Sequence, residues 1–249
     1  MLFRSVVYGV GPVMRGGNSF DPLFGGGATM GSKTVAGALR QAIDDPEVKA
    51  IVFRVDSPGG SYVASDTIWR ETLRAKQAGK PVIVSMANVA GSGGYFVAMH
   101  ATKIVAQPGT ITGSIGVLGG KILTRRLFER LGVTYGTIKT AANADMFSEL
   151  DDYSAHGWQR FQAWLDRVYA DFTAKVADGR GLPLARVQEI GPHYVRTLAI
   201  WEDALHAHRD EAIALQGQVV YDRFDKYLSG CQKYFASGHI SVHQFTMTK

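Results

Sequence analysis

The sequence predicts an α/β fold built on a mostly parallel sheet, and three observations support this. Short β-branched runs at residues 6–10, 50–55, 82–86 and 103–106 alternate with stretches of helical apolar spacing. Two of those runs lead directly into glycine-rich turns, Asp56-Ser57-Pro58-Gly59-Gly60 and Ala90-Gly91-Ser92-Gly93-Gly94, and each turn opens a helical stretch. The unit of strand, glycine turn and helix therefore recurs in close succession, as in sheets whose strands are joined by helical crossovers. Ligands of such sheets lie at the carboxyl ends of the strands, so both turns are expected to open on the same edge.

Taken in order, residues 6–10 read as an edge or first strand, and 11–31 as a glycine-rich loop broken by Pro12 and Pro22. Residues 34–44 carry Val35, Ala38, Leu39, Ala42 and Ile43 at helical spacing, with Ser32 as the expected cap and Asp44-Asp45-Pro46 as the stop. The strand at 50–55 enters the first turn. There Pro58 fixes one dihedral, and the two glycines allow positive φ and a close backbone approach. A helix over 64–78 follows, capped by Ser61 or Ser65, with Ile68, Trp69 and Leu73 on its buried side. The strand at 82–86 enters the second turn, and 95–100 are good helix formers. After the strand at 103–106, residues 110–116 alternate Thr and Ile with small residues, predicting an extended stretch packed against the serine turn. A short helix over 124–131, a strand over 135–139, a polar loop over 146–153 and a long helix over 154–178 come next. The aromatic stripe of that long helix, Trp158 to Phe172, reads as core or subunit interface rather than as a cofactor site. Residues 184–190 read as a short helix after Pro183, and 216–249 show no clear period.

The bulk properties bound the function. A chain of 249 residues with 46% hydrophobic residues can bury a substantial core. The net charge of +5 and pI near 9.3 come without a broad basic run. Lys121, Arg125, Arg126 and Arg130 are interrupted by apolar residues, as on a solvated helix face, so no nucleic-acid partner is expected. The single cysteine, Cys231, excludes an intrachain disulfide and reads as structural. No apolar stretch approaches the ~20 residues of a membrane span, and the start lacks the order of a signal peptide, reading instead as a strand entered part-way. His206/His208 and His239/His243 are close in sequence, but no third ligand is suggested for the latter pair, and neither metal nor cofactor is expected.

The chemistry centres on Ser92. A serine between glycines at a strand-to-helix turn exposes its hydroxyl and directs free N–H groups at whatever the hydroxyl attacks. Such a nucleophile needs a base and oxyanion donors. The N–H of Gly93 and that of Gly60 or Gly59 are the candidate donors, provided the two turns are adjacent.

These residues resemble the signal peptide peptidase A or protease IV serine peptidases. The likeness rests on DSPGGSYVASDTI (Asp56 to Ile68), MANVAGSGGYFVA (Met86 to Ala98) and PGTITGSIGV (Pro108 to Val117), three motifs in the family's order. It covers about residues 5–190, taken as the peptidase domain 1–190, and leaves 191–249 as a divergent segment of unassigned role. The resemblance implies a ClpP/crotonase-like fold with flanking helices. It assigns Ser92 as nucleophile, Gly60 and Gly93 as oxyanion donors, and Ser114 as the serine that orients the general base. That base is a lysine in the family. Single-domain members carry it in a segment resembling IKSGxxKD, where this chain has Ile138-Lys139-Thr140-Ala141-Ala142-Asn143-Ala144-Asp145, so Ala144 stands at the lysine position. Double-length members divide the dyad, and this chain looks like the serine-bearing C-terminal half of an actinobacterial form. Its expected partners are thus an N-terminal half carrying the lysine, further copies in a ring-like homo-oligomer, and signal peptides or other unfolded peptides as substrates. A membrane anchor is expected outside this chain. Lys139 is a weaker substitute base, since strand alternation would point it away from position 144.

Three rival readings remain. A Ser-His-Asp hydrolase would take His100 or His193 as base, yet Ala90 replaces the first glycine of the usual elbow, and His100 lies about 12 Å along the following helix. An acyl-CoA enzyme of the crotonase type would use the paired N–H groups but has no need of Ser92. A non-catalytic assembly domain would use the fold and the aromatic helix alone.

Overall fold

The computed structural model describes residues 4–20, 27–182 and 184–248. Met1 to Phe3, Pro22, Pro183 and Lys249 lie outside the described residues. The chain forms two compact units, Met1–Gly181 and Leu182–Lys249.

In the first unit, β1 (Arg4–Val10) is followed by two short strands within the glycine-rich stretch, β2 (Val13–Met14) and β3 (Met30–Gly31), which pair in parallel. Helix α1 (Ser32–Asp44), β4 (Ala50–Ser57), α2 (Tyr62–Gln77), β5 (Val82–Gly91) and the single turn α3 (Gly93–Phe96) come next. Then follow β6 (Lys103–Val105), β7 (Ile111–Gly113), α4 (Arg125–Arg130) and α5 (Ala155–Arg180). The main sheet has the order β1-β4-β5-β6 with β7 also on β5, and every one of these pairings is parallel, as the alternation of strands and helices predicts.

Alternation along the strands builds the core. Ile51, Phe53 and Val55 of β4 and Val82 and Val84 of β5 are at most 1% exposed and face Val35 and Leu39 of α1 and Ile68 of α2. A period of two in the strands thereby meets a period of 3.6 in the helices. Burial of each large apolar side chain contributes about 1.5–3 kcal/mol, so this layer holds the carboxyl ends of β4 and β5 in place. Near those ends the register slips, with Val55 opposite Met86 but Ser57 opposite Ala90. Such an irregularity re-aims a strand where it leaves the sheet.

Several local expectations are corrected. The cap of α1 is Gly31, and Ser32 is the first helical residue. The N–H of Gly31 donates to Asn18 Oδ1 at 2.8 Å, which fixes the entry without Ser32. Ser61 caps α2 by accepting from the N–H of Ala64. The helix after the serine starts at Gly93 rather than Tyr95 and is regular only to Phe96. Residues 135–139 form no strand, since no neighbouring strand supplies the ladder bonds that a β-branched run needs, and Ile138 is 99% exposed. Helix α5 has the predicted cap, Ser154 Oγ accepting from the N–H of Gly157 at 3.0 Å, and ends on Gly181 in the left-handed conformation.

The second unit holds β8 (Leu184–Glu189), α6 (Gly191–Ala207), α7 (Arg209–Gln216), α8 (Gln218–Ala236) and β9 (His243–Met247). Residues 184–189 are a strand and not a helix, because β9 pairs with them antiparallel. Residues 218–236, where no period was evident, form one helix that buries Tyr221 and Leu228. No helix among the described residues is long and apolar enough to cross a membrane.

Candidate active site

Each of the two turns leaves the sheet on a fixed path. Beyond β4, Ser57 is fully buried and its hydroxyl accepts from the N–H of Gly59 at 3.2 Å. Val13 of β2 clamps the turn from one side. Its N–H donates to the carbonyl of Gly59 and its carbonyl accepts from the N–H of Ser61, both at 2.8 Å. In a parallel bridge of this kind the residue between those two bonds, Gly60, points its own N–H away from Val13.

Beyond β5, Ser92 adopts φ 49° and ψ −119°. Its N–H donates to the carbonyl of Gly113 in β7 at 2.9 Å, and its carbonyl accepts from the N–H groups of Tyr95 and Phe96. Ser92 and Ser114 (φ 47°) are the only residues other than glycine with positive φ among the described residues. Backbone strain of about 1–3 kcal/mol is thus concentrated at the two serines singled out by the sequence, and strain of this sort clusters at functional sites.

The two turns pack directly on each other. A Cβ at Gly59 (φ +106°) would lie 2.7 Å from both Gly93 N and Ser92 Cβ. One at Gly93 would lie 3.1 Å from Gly60 N and 2.5 Å from Ser65 Oγ. Only glycine permits that approach, and the approach puts the N–H groups of Gly60 and Gly93 beside each other. Among the described residues, neither N–H is taken by a hydrogen-bond acceptor. A pair of free, adjacent backbone donors next to a strained serine is suited to an oxyanion.

Ser92 and Ser114 both line a cleft of about 540 Å³ whose apolar wall comes from Tyr62, Phe96, Val168 and Phe172. The sequence missed Tyr62, and also the part α5 plays in the wall, although the aromatic stripe that supplies Phe172 was visible. Ser65, read as a possible cap, is buried against Gly93 and donates its hydroxyl to the carbonyl of Ser61 at 3.0 Å. Tyr62 is tied to α5 by a hydrogen bond from its hydroxyl to Asp171. Burial, reinforced by that bond, raises the Tyr62 pKa above its usual 10.0.

No Lys, His, Asp or Glu is among the described residues lining the cleft. Ala144 sits exposed in an irregular turn, and Lys139 Nζ is paired with Asp145 at 2.9 Å. Lys175 of α5 lies between Asp171 (2.7 Å) and Asp66 (3.0 Å), 4.4 Å from the Trp69 ring. Burial opposes its charge, but the hydrogen bonds to both carboxylates outweigh burial and raise its pKa, so it remains an ammonium rather than a base.

His100 is 6% exposed and committed at both nitrogens. The Trp69 indole can only donate, and it does so to Nδ1 at 2.9 Å, which leaves the proton on Nε2 for Asp178 at 2.9 Å. It braces α2 and α5 and is not available to Ser92. His193 belongs to α6 in the second unit. His239 follows α8 and His243 opens β9, so the pair does not share a helix face.

The profile of peptidase family S49 matches residues 74–202. Protease 4 of Salmonella typhi is 38% identical over 190 residues, 73% of this chain and 31% of that protein. The chloroplastic serine protease SPPA of Arabidopsis thaliana is 35% identical over 190 residues, 74% of this chain and 28% of that protein. The chain therefore spans about a third of the length of these curated relatives. The C-terminal part is similar to something else. The profile described as mycolic acid cyclopropane synthetase matches residues 161–245. Cyclopropane mycolic acid synthase MmaA2 of Mycobacterium tuberculosis is 52% identical over 69 residues, 28% of this chain and 24% of that protein.

Proposed function

The chain belongs to peptidase family S49, and on that footing we propose that it is the nucleophile-bearing part of a serine endopeptidase acting on released signal peptides or other unfolded peptides. One observation carries this reading: the strained Ser92 stands beside the two unpaired N–H groups of Gly60 and Gly93 at the head of an apolar cleft.

In the proposed reaction, Ser92 Oγ attacks the scissile carbonyl carbon while its proton passes to a general base. The carbonyl oxygen becomes an oxyanion held by the N–H groups of Gly60 and Gly93. As the C–N bond breaks, the base returns its proton to the leaving amine, and an acyl-enzyme remains on Ser92. Water, deprotonated by the same base, then releases the acid and regenerates the hydroxyl.

The base of this reading is a lysine from an N-terminal half of a longer protein. Several observations support it: Ala144 at the position expected for lysine, the ion pair of Lys139 with Asp145, the two carboxylates on Lys175, and the absence of Lys, His, Asp or Glu among the described residues of the cleft. On this reading Ser114 orients that lysine, supported by its place in the cleft beside Gly113, which accepts the N–H of Ser92. Exposed apolar residues beyond β7, among them Leu118, Ile122, Ile138 and Phe147, offer surface for further copies in a homo-oligomer. Attachment to a membrane, on this reading, is made by an anchor outside these residues.

Fluorophosphonate labelling and peptide cleavage test the proposal. The isolated chain is expected to show neither beyond background, and both are expected to appear when a lysine-bearing N-terminal half of an S49 protein is added. Ser92→Ala should abolish both. Ser92-dependent cleavage by the isolated chain would overturn the divided dyad. Labelling that survives Ser92→Ala would overturn the peptidase reading.

A further inference from the structure

We infer that the second unit binds a borderline divalent metal ion of the Zn²⁺ class through Glu202, His206 and Asp225. The inference is independent of the peptidase reading, because all three residues lie outside the first unit.

Helix α6 carries Glu202 and His206 at i and i+4, so they share one face one turn apart. Helix α8 packs along α6 and brings Asp225 to the same place, where it already meets His206 Nε2 in a hydrogen bond. One ligand atom from each of the three lies within 4.8 Å of the other two. Around a tetrahedral Zn²⁺ with bonds of about 2.0–2.2 Å, ligand atoms stand roughly 3.3–3.6 Å apart. Closing from the observed spacing needs only side-chain adjustment of about an ångström, and the two packed helices hold the backbone in place.

Three further features suit a cation of this type. The remaining partner of Glu202 is the Gln232 amide, which donates to Oε2 and leaves Oε1 for a metal. Outer hydrogen bonds of that kind orient carboxylate ligands. The side chains of His206 and Asp225 are 51% and 39% exposed, so an ion can enter from solvent and complete its shell with water. Two carboxylates supply negative charge, while the imidazole favours Zn²⁺, Ni²⁺ or Co²⁺ over Mg²⁺ and Ca²⁺. On binding, the hydrogen bond from His206 Nε2 to Asp225 is replaced by bonds from both atoms to the ion, and the ring carries its proton on Nδ1.

Calorimetric titration of the whole chain with zinc sulfate at neutral pH is the test, with magnesium sulfate as comparator. One Zn²⁺ per chain and a raised melting temperature are expected, with no response to Mg²⁺. His206→Ala and, separately, Glu202→Gln should weaken Zn²⁺ binding at least about 10-fold. His243→Ala, in the same unit but away from the three ligands, should leave binding unchanged. Circular dichroism of each variant separates loss of a ligand from loss of fold. Absence of binding at about 100 µM Zn²⁺, or equal affinity in a folded His206→Ala chain, would overturn the site.

Discussion

The two sides of the Ser92 cleft are built in opposite ways. Up to Gly113 the chain near the serine belongs to strands or pinned turns, and Phe53, Val84 and Ala90 are completely buried behind it. From residue 115 to 153 the only regular element is α4, and apolar side chains face solvent: Leu118 is 93% exposed and Ile138 99%. Ser92 and the N–H groups of Gly60 and Gly93 are therefore intrinsic to this chain's core, whereas the stretch from 115 to 153 contributes little packing. A contiguous exposed apolar patch marks a surface available for an interaction, and Leu118, which lines the cleft, belongs to this stretch.

The largest test of this contrast is paired. Phe53→Ala removes a fully buried ring from β4 and should lower unfolding stability in urea by about 3–5 kcal/mol. Ile138→Ser should change it by less than about 0.5 kcal/mol, while weakening self-association in sedimentation if the surface is an interface. A comparable loss of stability in both variants would show that the second side is as well packed as the first.

A smaller effect is expected where the turns touch. Gly59→Ala would push a Cβ to 2.7 Å from Gly93 N and Ser92 Cβ at a φ that L-residues avoid. The expected cost is about 1–3 kcal/mol, together with loss of fluorophosphonate labelling in the reconstituted system. Ser92→Gly should have the opposite sign for stability. It relieves the strain at φ 49° at the expense of greater backbone entropy in the unfolded chain, for a net gain of up to about 1 kcal/mol while labelling is abolished. A destabilised Ser92→Gly would mean that the serine is held by contacts rather than strained against them.

The same contrast explains what could be read from the sequence. The strands at Ala50 and Val82 were legible, the cap of α2 was narrowed to Ser61 or Ser65, and both glycine turns were placed on one sheet edge, because local signals and tertiary packing agree there. Residues 135–139 misled, since a β-branched run becomes a strand only when a neighbour offers its backbone, and none does. Residues 184–189 misled in the other direction, because their partner His243–Met247 lies more than fifty residues away. In the site itself, Ser92 and Gly93 stand out by residue type and spacing, Gly60 only as one of two candidate glycines, and Ser114 through the family resemblance alone. Tyr62 and Phe172 do not, because their place in the cleft depends on α5 crossing α2, a long-range fact with no local signature.

The last expectation concerns pH, and it too distinguishes the two sides. Across the α2–α5 wall of the cleft, Lys175 links Asp66 of α2 to Asp171 of α5, and Asp171 accepts from Tyr62. For Asp66, burial favours the neutral acid, but hydrogen bonds from Arg70 and Lys175 prevail and hold its pKa below 3.8. A depressed carboxyl contributes stability above its unfolded pKa and loses that contribution as pH falls through the folded value. Lys175 and Tyr62 are raised above 10.5 and 10.0, so their contributions are present below those values and lost as pH rises past them. Through these three groups the urea midpoint of the first unit should be level between about pH 5 and 9, falling in acid and again in alkali, while His206 of the second unit, raised above 6.5 by its bond to Asp225, loses its contribution as pH rises past that value. Asp66→Asn should flatten the acid limb and Lys175→Met the alkaline one. On the other side, Asp145 is also lowered, by its hydrogen bond from Lys139, but that pair joins residues only six apart. Asp145→Asn should leave both limbs unchanged in moderate salt, where an exposed local pair is screened. An acid limb that followed Asp145 instead of Asp66 would show that the α2–α5 ion pairs are not what the acid limb reports.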